Sequence, residues 1–108
     1  MPVRPMLKLL FAAAAVILAW PVHSQDGNVG RGAEIARSVC AACHVVGVRG
    51  QPAVPNSQAP PFSAIASTPG MTSIALSAAL MTSHRLMPNL ILEPDQRRDV
   101  IAYILSLK

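Results

Sequence analysis

The sequence predicts an all-α domain, and three observations predict it. Apolar and small residues recur at spacings of three and four in three separate stretches. No run alternates apolar with polar residues as a half-buried strand would. Four of the ten prolines gather between residues 52 and 61, outside every helical stretch, where they forbid regular helix and weaken strand.

Taken in order, residues 1–24 read first as a secretory leader. Arg4 and Lys8 precede the apolar run LLFAAAAVILAW, Leu9 to Trp20, and Val22 and Ser24 are spaced like the small residues before a signal-peptidase cut. The run holds 12 residues, short of the ~20 that an anchoring helix needs. Cleavage after Ser24 leaves one domain, residues 25–108. It keeps seven of nine basic residues and all five acidic ones, a net charge of about +2. No run of Lys or Arg points to nucleic acid. Phe62 and Tyr103 are the only aromatics that remain. A domain this small buries little apolar surface and calls for a staple such as a metal, a disulfide or a cofactor.

Asn28 to Val39 is predicted as a helix with Asn28 as its N-cap. Gly32, Ala36 and Cys40 recur at spacing four and give it a stripe of small residues, over which another backbone can approach closely. Val45 to Pro61 reads as an irregular loop; loops of that length tend to be functional or to wrap something. Thr72 to Ser83 is a second helix, capped by Thr72, with Ile74, Ala78 and Met81 along its apolar face. The segment HRLMPN then breaks the pattern. Pro94 to Lys108 is a third helix, with Pro at its first turn and Asp95 beside its positive end. Val100, Ile101, Ile104 and Leu105 form its apolar face. Tyr103 is expected near the Gly32–Ala36 stripe, where the terminal helices cross.

Both cysteines of the chain lie in CAACH, Cys40 to His44. A disulfide between them would close a very small loop and gain little chain entropy. A redox dithiol belongs at a helix start beside a βαβ unit, and no strand is predicted here. A zinc site needs four ligands; Cys40, Cys43, His44 and His84 supply the count, with three of them crowded into one turn. Covalent haem attachment uses every residue of C-x-x-C-H. Positions i, i+3 and i+4 share a helical face, so two thiols can form thioethers to one haem edge while the imidazole reaches the iron. No thiol is left over in an oxidising compartment.

With these residues in view, the chain resembles a small class I c-type cytochrome over essentially its whole mature length. GAEIARSVCAACH is similar to that family's first helix, and RRDVIAYILSL to its last. APPF resembles the segment whose proline carbonyl accepts a hydrogen bond from the axial histidine, which maps to Pro60. MPN resembles the distal-ligand segment, which maps to Met87. Ala36 stands where the family often has an aromatic residue. The resemblance implies a cytochrome c-like fold of three to four short helices wrapped around one haem c. It implies covalent bonds at Cys40 and Cys43, and iron ligation by His44 and Met87.

The sixth ligand has four candidates by composition: Met71, Met81, Met87 and His84. Met71 and Met81 suit ordinary core packing. Met87 is followed by Pro88, which disfavours helical geometry at Met87 itself and lets a loop present its sulfur. His84 as ligand would give bis-histidine iron of lower potential. Arg85 can pair with a propionate or stay solvated. Phe62, Ile65, Ile74, Leu80, Leu90, Ile101 and Leu105 are expected around the porphyrin. The expected function is that of a periplasmic electron carrier and not an enzyme, meeting donor and acceptor proteins and touching membranes only by transient docking to partners there. The alternatives are a haem subunit of a dehydrogenase or oxidase, and a sensor or peroxidase-like protein with a displaceable distal ligand.

Overall fold

Asn28 begins the first helix in the way its residue type suggests: its side-chain oxygen accepts the Arg31 backbone N–H at 2.8 Å. A computed structural model describes residues 26–84 and 86–108; the leader expected over residues 1–24, together with Gln25 and Arg85, lies outside the described residues. Helix α1 runs Val29–Ile35 and passes into a π-helical turn, Ala36–Cys40. Helix α2 is Phe62–Ala66, α3 is Ser73–Met81 and α4 is Pro94–Leu105. Among the described residues all regular structure is helical, apart from one isolated bridge pairing His84 with Met87.

The terminal helices α1 and α4 make the most extensive helix–helix contact. The small stripe allows it. Gly32 lies directly against the Asp99 carbonyl and Tyr103 Cβ, and Ala36 and Val100 are fully buried. Asp99 is buried at the crossing. Its Oδ1 accepts the Asn28 backbone N–H at 2.6 Å, and its Oδ2 lies 3.0 Å from Arg31 Nε. Arg31 is mostly exposed, so the charge pair is well screened and the backbone hydrogen bond carries more of the stabilisation. Helix α4 starts at Glu93, whose carboxylate accepts from the Gln96 backbone while Gln96 Oε1 accepts the Glu93 N–H at 3.0 Å.

Two features differ from the sequence reading. The helix α2 was not anticipated; its five residues follow Pro61 and are anchored by Phe62 N–H donating to the Val45 carbonyl at 2.9 Å. In α3 the buried side is not the expected one. Ile74 is 81% exposed and Ala78 and Met81 also face outward, whereas Leu76 is 3% exposed and Leu80 packs against the core. Helix α3 is apolar almost all round, so periodicity did not distinguish the two faces. Thr72 does cap it, accepting from the Ala75 N–H at 3.2 Å. The proline-rich stretch before α2 is irregular as expected, with Asn56 in the left-handed region at φ 59°.

Candidate functional site

CAACH closes the first helical segment. Ala41 N–H donates to the Ala36 carbonyl at 3.0 Å, which is the widened π register, and His44 N–H donates to the Cys40 carbonyl at 2.9 Å. The motif is therefore a single helical turn, offset from α1 by one extra residue. Ser38 sits inside the widened turn, its hydroxyl 3.1 Å from both the Glu34 and the Ile35 carbonyl oxygens. Cys40 is buried and Cys43 is exposed, and both are free thiols. Burial pushes the Cys40 thiol above its ordinary value, so it stays protonated and poorly nucleophilic in this environment.

His44 Nδ1 lies 2.7 Å from the Pro60 carbonyl oxygen. A carbonyl only accepts, so Nδ1 is the donor here and Nε2 is the ring nitrogen left outside this contact. This is the arrangement in which an imidazole binds a metal through one nitrogen while a fixed acceptor orients the other. The ring also packs on Phe62, with centroids 5.2 Å apart and planes tilted by 53°. Phe62 in turn meets Tyr103 at 6.5 Å.

Two side-chain supports of this turn were not read from the sequence: Ser57, and the hydroxyl of Tyr103. Ser57 Oγ donates to the Cys43 carbonyl at 2.5 Å and accepts the Ala59 N–H at 3.2 Å. The Tyr103 hydroxyl donates to the Val46 carbonyl at 2.5 Å, reaching from α4 to the chain just after the motif. Position on the small-residue crossing was legible for Tyr103; its hydroxyl partner was not.

Met87 stands in the segment between α3 and α4 and is half-buried. Its N–H donates to the His84 carbonyl at 3.0 Å. Leu86 and Ile91, either side of it in sequence, are 94% and 90% exposed. Met71 packs against the core and Met81 lies on the outer side of α3, with the Ser77 hydroxyl 3.8 Å from its sulfur. His84 is exposed, with Nδ1 3.2 Å from the Thr82 carbonyl oxygen. Among the described residues no three His, Cys, Asp or Glu side chains converge in a metal-binding cluster, so Cys40, Cys43, His44 and His84 do not form the rival zinc site. Two adjacent thiols and an oriented imidazole are instead the donor set that C-x-x-C-H offers to a covalently attached haem.

Comparison with known proteins bears on the same stretch. The family model described as Cytochrome c matches residues 29–108. A curated cytochrome c-552 from Bradyrhizobium diazoefficiens is 38% identical over 81 residues, which span 75% of this chain and 76% of that protein. No solved structure matches the chain significantly.

Proposed function

We propose, for a chain that belongs to the cytochrome c family, a periplasmic carrier of single electrons whose haem iron is ligated by His44 and Met87. Membership carries the coarser statements directly: the protein is a monohaem electron-transfer protein with covalently held haem c, and it is not an enzyme in its own right. Haem supplies a one-electron ferric–ferrous couple when bound.

The observation that carries the ligand reading is the 2.7 Å hydrogen bond from His44 Nδ1 to the Pro60 carbonyl, one residue beyond a pair of free thiols. It occupies Nδ1 and fixes the ring's direction, which leaves Nε2 as the nitrogen for a metal. Cys40 and Cys43 hold the macrocycle edge as thioethers. Met87 supplies the sixth ligand, and Pro88 after it keeps that residue out of helical geometry. A thioether opposite an imidazole raises the potential and closes the iron to exogenous ligands. Both suit outer-sphere transfer.

The partners are donor and acceptor proteins that dock transiently. From Ile35 to Leu92 the chain carries no acidic residue and three arginines, while Leu86 and Ile91 stand exposed beside Met87. The basic, apolar residues 1–24 act as a leader for export, which brings the thiols to the compartment where haem is attached.

The test is production of the full chain in cells with haem-maturation machinery. A mature product with haem bonded through two sulfurs by mass spectrometry, and a sulfur-to-iron charge-transfer band in the ferric state, is expected. Rapid stoichiometric binding of carbon monoxide by the reduced protein at neutral pH would sink the six-coordinate reading.

A further inference from the structure

We infer that Ser57 is a positioning residue for the iron-binding imidazole: its hydroxyl ties the Cys43–His44 peptide to the loop that carries Pro60, and so sets the plane and the donor strength of the His44 ring. The inference rests on the reading of His44 as an axial ligand and extends it to a residue outside the C-x-x-C-H motif.

Two features carry it. The first is that Ser57 reaches the peptide from which His44 hangs. Ser57 Oγ donates to the Cys43 carbonyl at 2.5 Å. That carbonyl belongs to the same peptide unit as the His44 N–H, which donates to the Cys40 carbonyl at 2.9 Å. Both edges of one planar unit are therefore held. Hydrogen bonds linked through a peptide in this way polarise and strengthen one another. His44 thus leaves the backbone from a fixed base.

The second is that the same loop holds the far end of the same side chain. His44 Nδ1 lies 2.7 Å from the Pro60 carbonyl oxygen, three residues on from Ser57. Ser57 Oγ accepts the Ala59 N–H at 3.2 Å, so the hydroxyl that grips Cys43 also orders the backbone leading into Pro60. The Ser57 N–H donates to the Val54 carbonyl at 3.2 Å, across the turn in which Asn56 is left-handed. Base and tip of His44 therefore belong to one hydrogen-bonded frame, with Ser57 as its joint. Water can replace the hydroxyl at the Cys43 carbonyl, but it cannot tie that carbonyl to the Pro60 segment. Loss of the hydroxyl loosens the bond between His44 and Pro60. A fixed acceptor on the far nitrogen makes an imidazole a stronger donor to a metal, which favours ferric over ferrous iron. Loosening it raises the potential.

The experiment compares four holoproteins at neutral pH: wild type, Ser57→Ala, Ser57→Thr and Gln51→Ala. Threonine keeps the hydroxyl, and Ser57 borders a cavity of about 340 Å³ walled by Val45, Val54 and Pro61, which has room for the extra methyl. Gln51 is the control. Its Oε1 accepts the Gly47 N–H at 3.1 Å in the same loop without reaching the motif. In Ser57→Ala the haem-methyl shifts of the ferric proton NMR spectrum, which report the plane of an axial imidazole, are expected to move. The ferrous-to-ferric ratio at a fixed applied potential is expected to rise about threefold. Ser57→Thr should restore both, and Gln51→Ala should leave both at their wild-type values. A lower melting temperature in Ser57→Ala with shifts and ratio unmoved overturns the inference and leaves Ser57 a structural residue only. Gln51→Ala moving them as far as Ser57→Ala, or threonine failing to restore them, overturns it too. A wild-type ferric protein without iron-shifted imidazole protons overturns the His44 reading itself, and this inference with it.

Discussion

Gly32→Ala sets two effects against each other, and the structure decides which wins. In a free helix the change would stabilise by about 1 kcal/mol, because alanine loses less backbone freedom. At the α1–α4 crossing the new methyl would sit 2.5 Å from the Asp99 carbonyl carbon and 2.8 Å from Tyr103 Cβ, and closer still to the Asp99 oxygen. Carbon atoms pack best at about 3.5–4.0 Å, so the helices must part by roughly 1 Å. Such overpacking costs about 1–3 kcal/mol. The parting also stretches the 2.6 Å bond from Asn28 N–H to the buried Asp99 carboxylate, worth about 1.5 kcal/mol or more. After the helix-propensity gain is subtracted, a net loss of about 2 kcal/mol remains. For a domain of this size that is a fall of roughly 8–16 °C in Tm. The assay is a circular-dichroism melt of the holoprotein beside Gly30→Ala as control. Gly30 is exposed, and a methyl there would meet only the Asn28 Oδ1 at 3.3 Å. The control should fall between no change and a gain of about 1 kcal/mol. Gly32→Ala melting at or above wild type would refute the claim that these helices meet through their backbones.

Tyr103→Phe removes the donor to the Val46 carbonyl and should cost about 1 kcal/mol, read from a denaturant melt with an unchanged slope. Asp99→Ala strips the Asn28 N–H of its acceptor and should cost about 2 kcal/mol. Since Arg31 is mostly exposed, that loss should be nearly the same at low and high salt. Leu76→Ala should cost about 2–5 kcal/mol in a thermal melt, which checks the side of α3 that packs on the protein core. Cys40→Ala/Cys43→Ala prevents covalent haem attachment and should abolish the cooperative thermal transition, because the remaining core has only Phe62 and Tyr103 as aromatic anchors.

What could be read from the sequence was what short-range chemistry decides. Asn28 and Thr72 cap because their side chains reach a backbone N–H three residues on, and Pro94 opens α4 because the first helical position needs no N–H. Where a distant partner decides, the pattern ran out. Helix α2 is too short to show a period, and its anchor is the Val45 carbonyl across the loop. Helix α3 offers Ile74–Ala78–Met81 and Leu76–Leu80 as rival apolar faces, and only the position of α4 selects the second. The π turn leaves no mark on residue spacing either; Ser38 engages the Glu34 and Ile35 carbonyls there, a role that many helix-interior serines do not share.

The same division runs through the site. Cys40, Cys43 and His44 are legible because their chemistry lies in their own side chains. Their supports are backbone carbonyls, and carbonyls are anonymous in a sequence. Three of them surround the motif: Cys43 receives Ser57, Val46 receives Tyr103, and Pro60 receives His44. The proline-rich loop now has a physical reason. Every peptide N–H competes for nearby acceptors, and a proline contributes an acceptor without a donor. The first turn of α2 is closed on the next carbonyl, with Ala64 and Ile65 N–H both donating to Pro61 at 3.0 and 3.1 Å, so the helix does not claim the Pro60 oxygen. The oxygen is left for His44, and the helix that begins at Phe62 holds it in place. Prolines that looked like mere helix breakers are thereby part of how the imidazole is aimed.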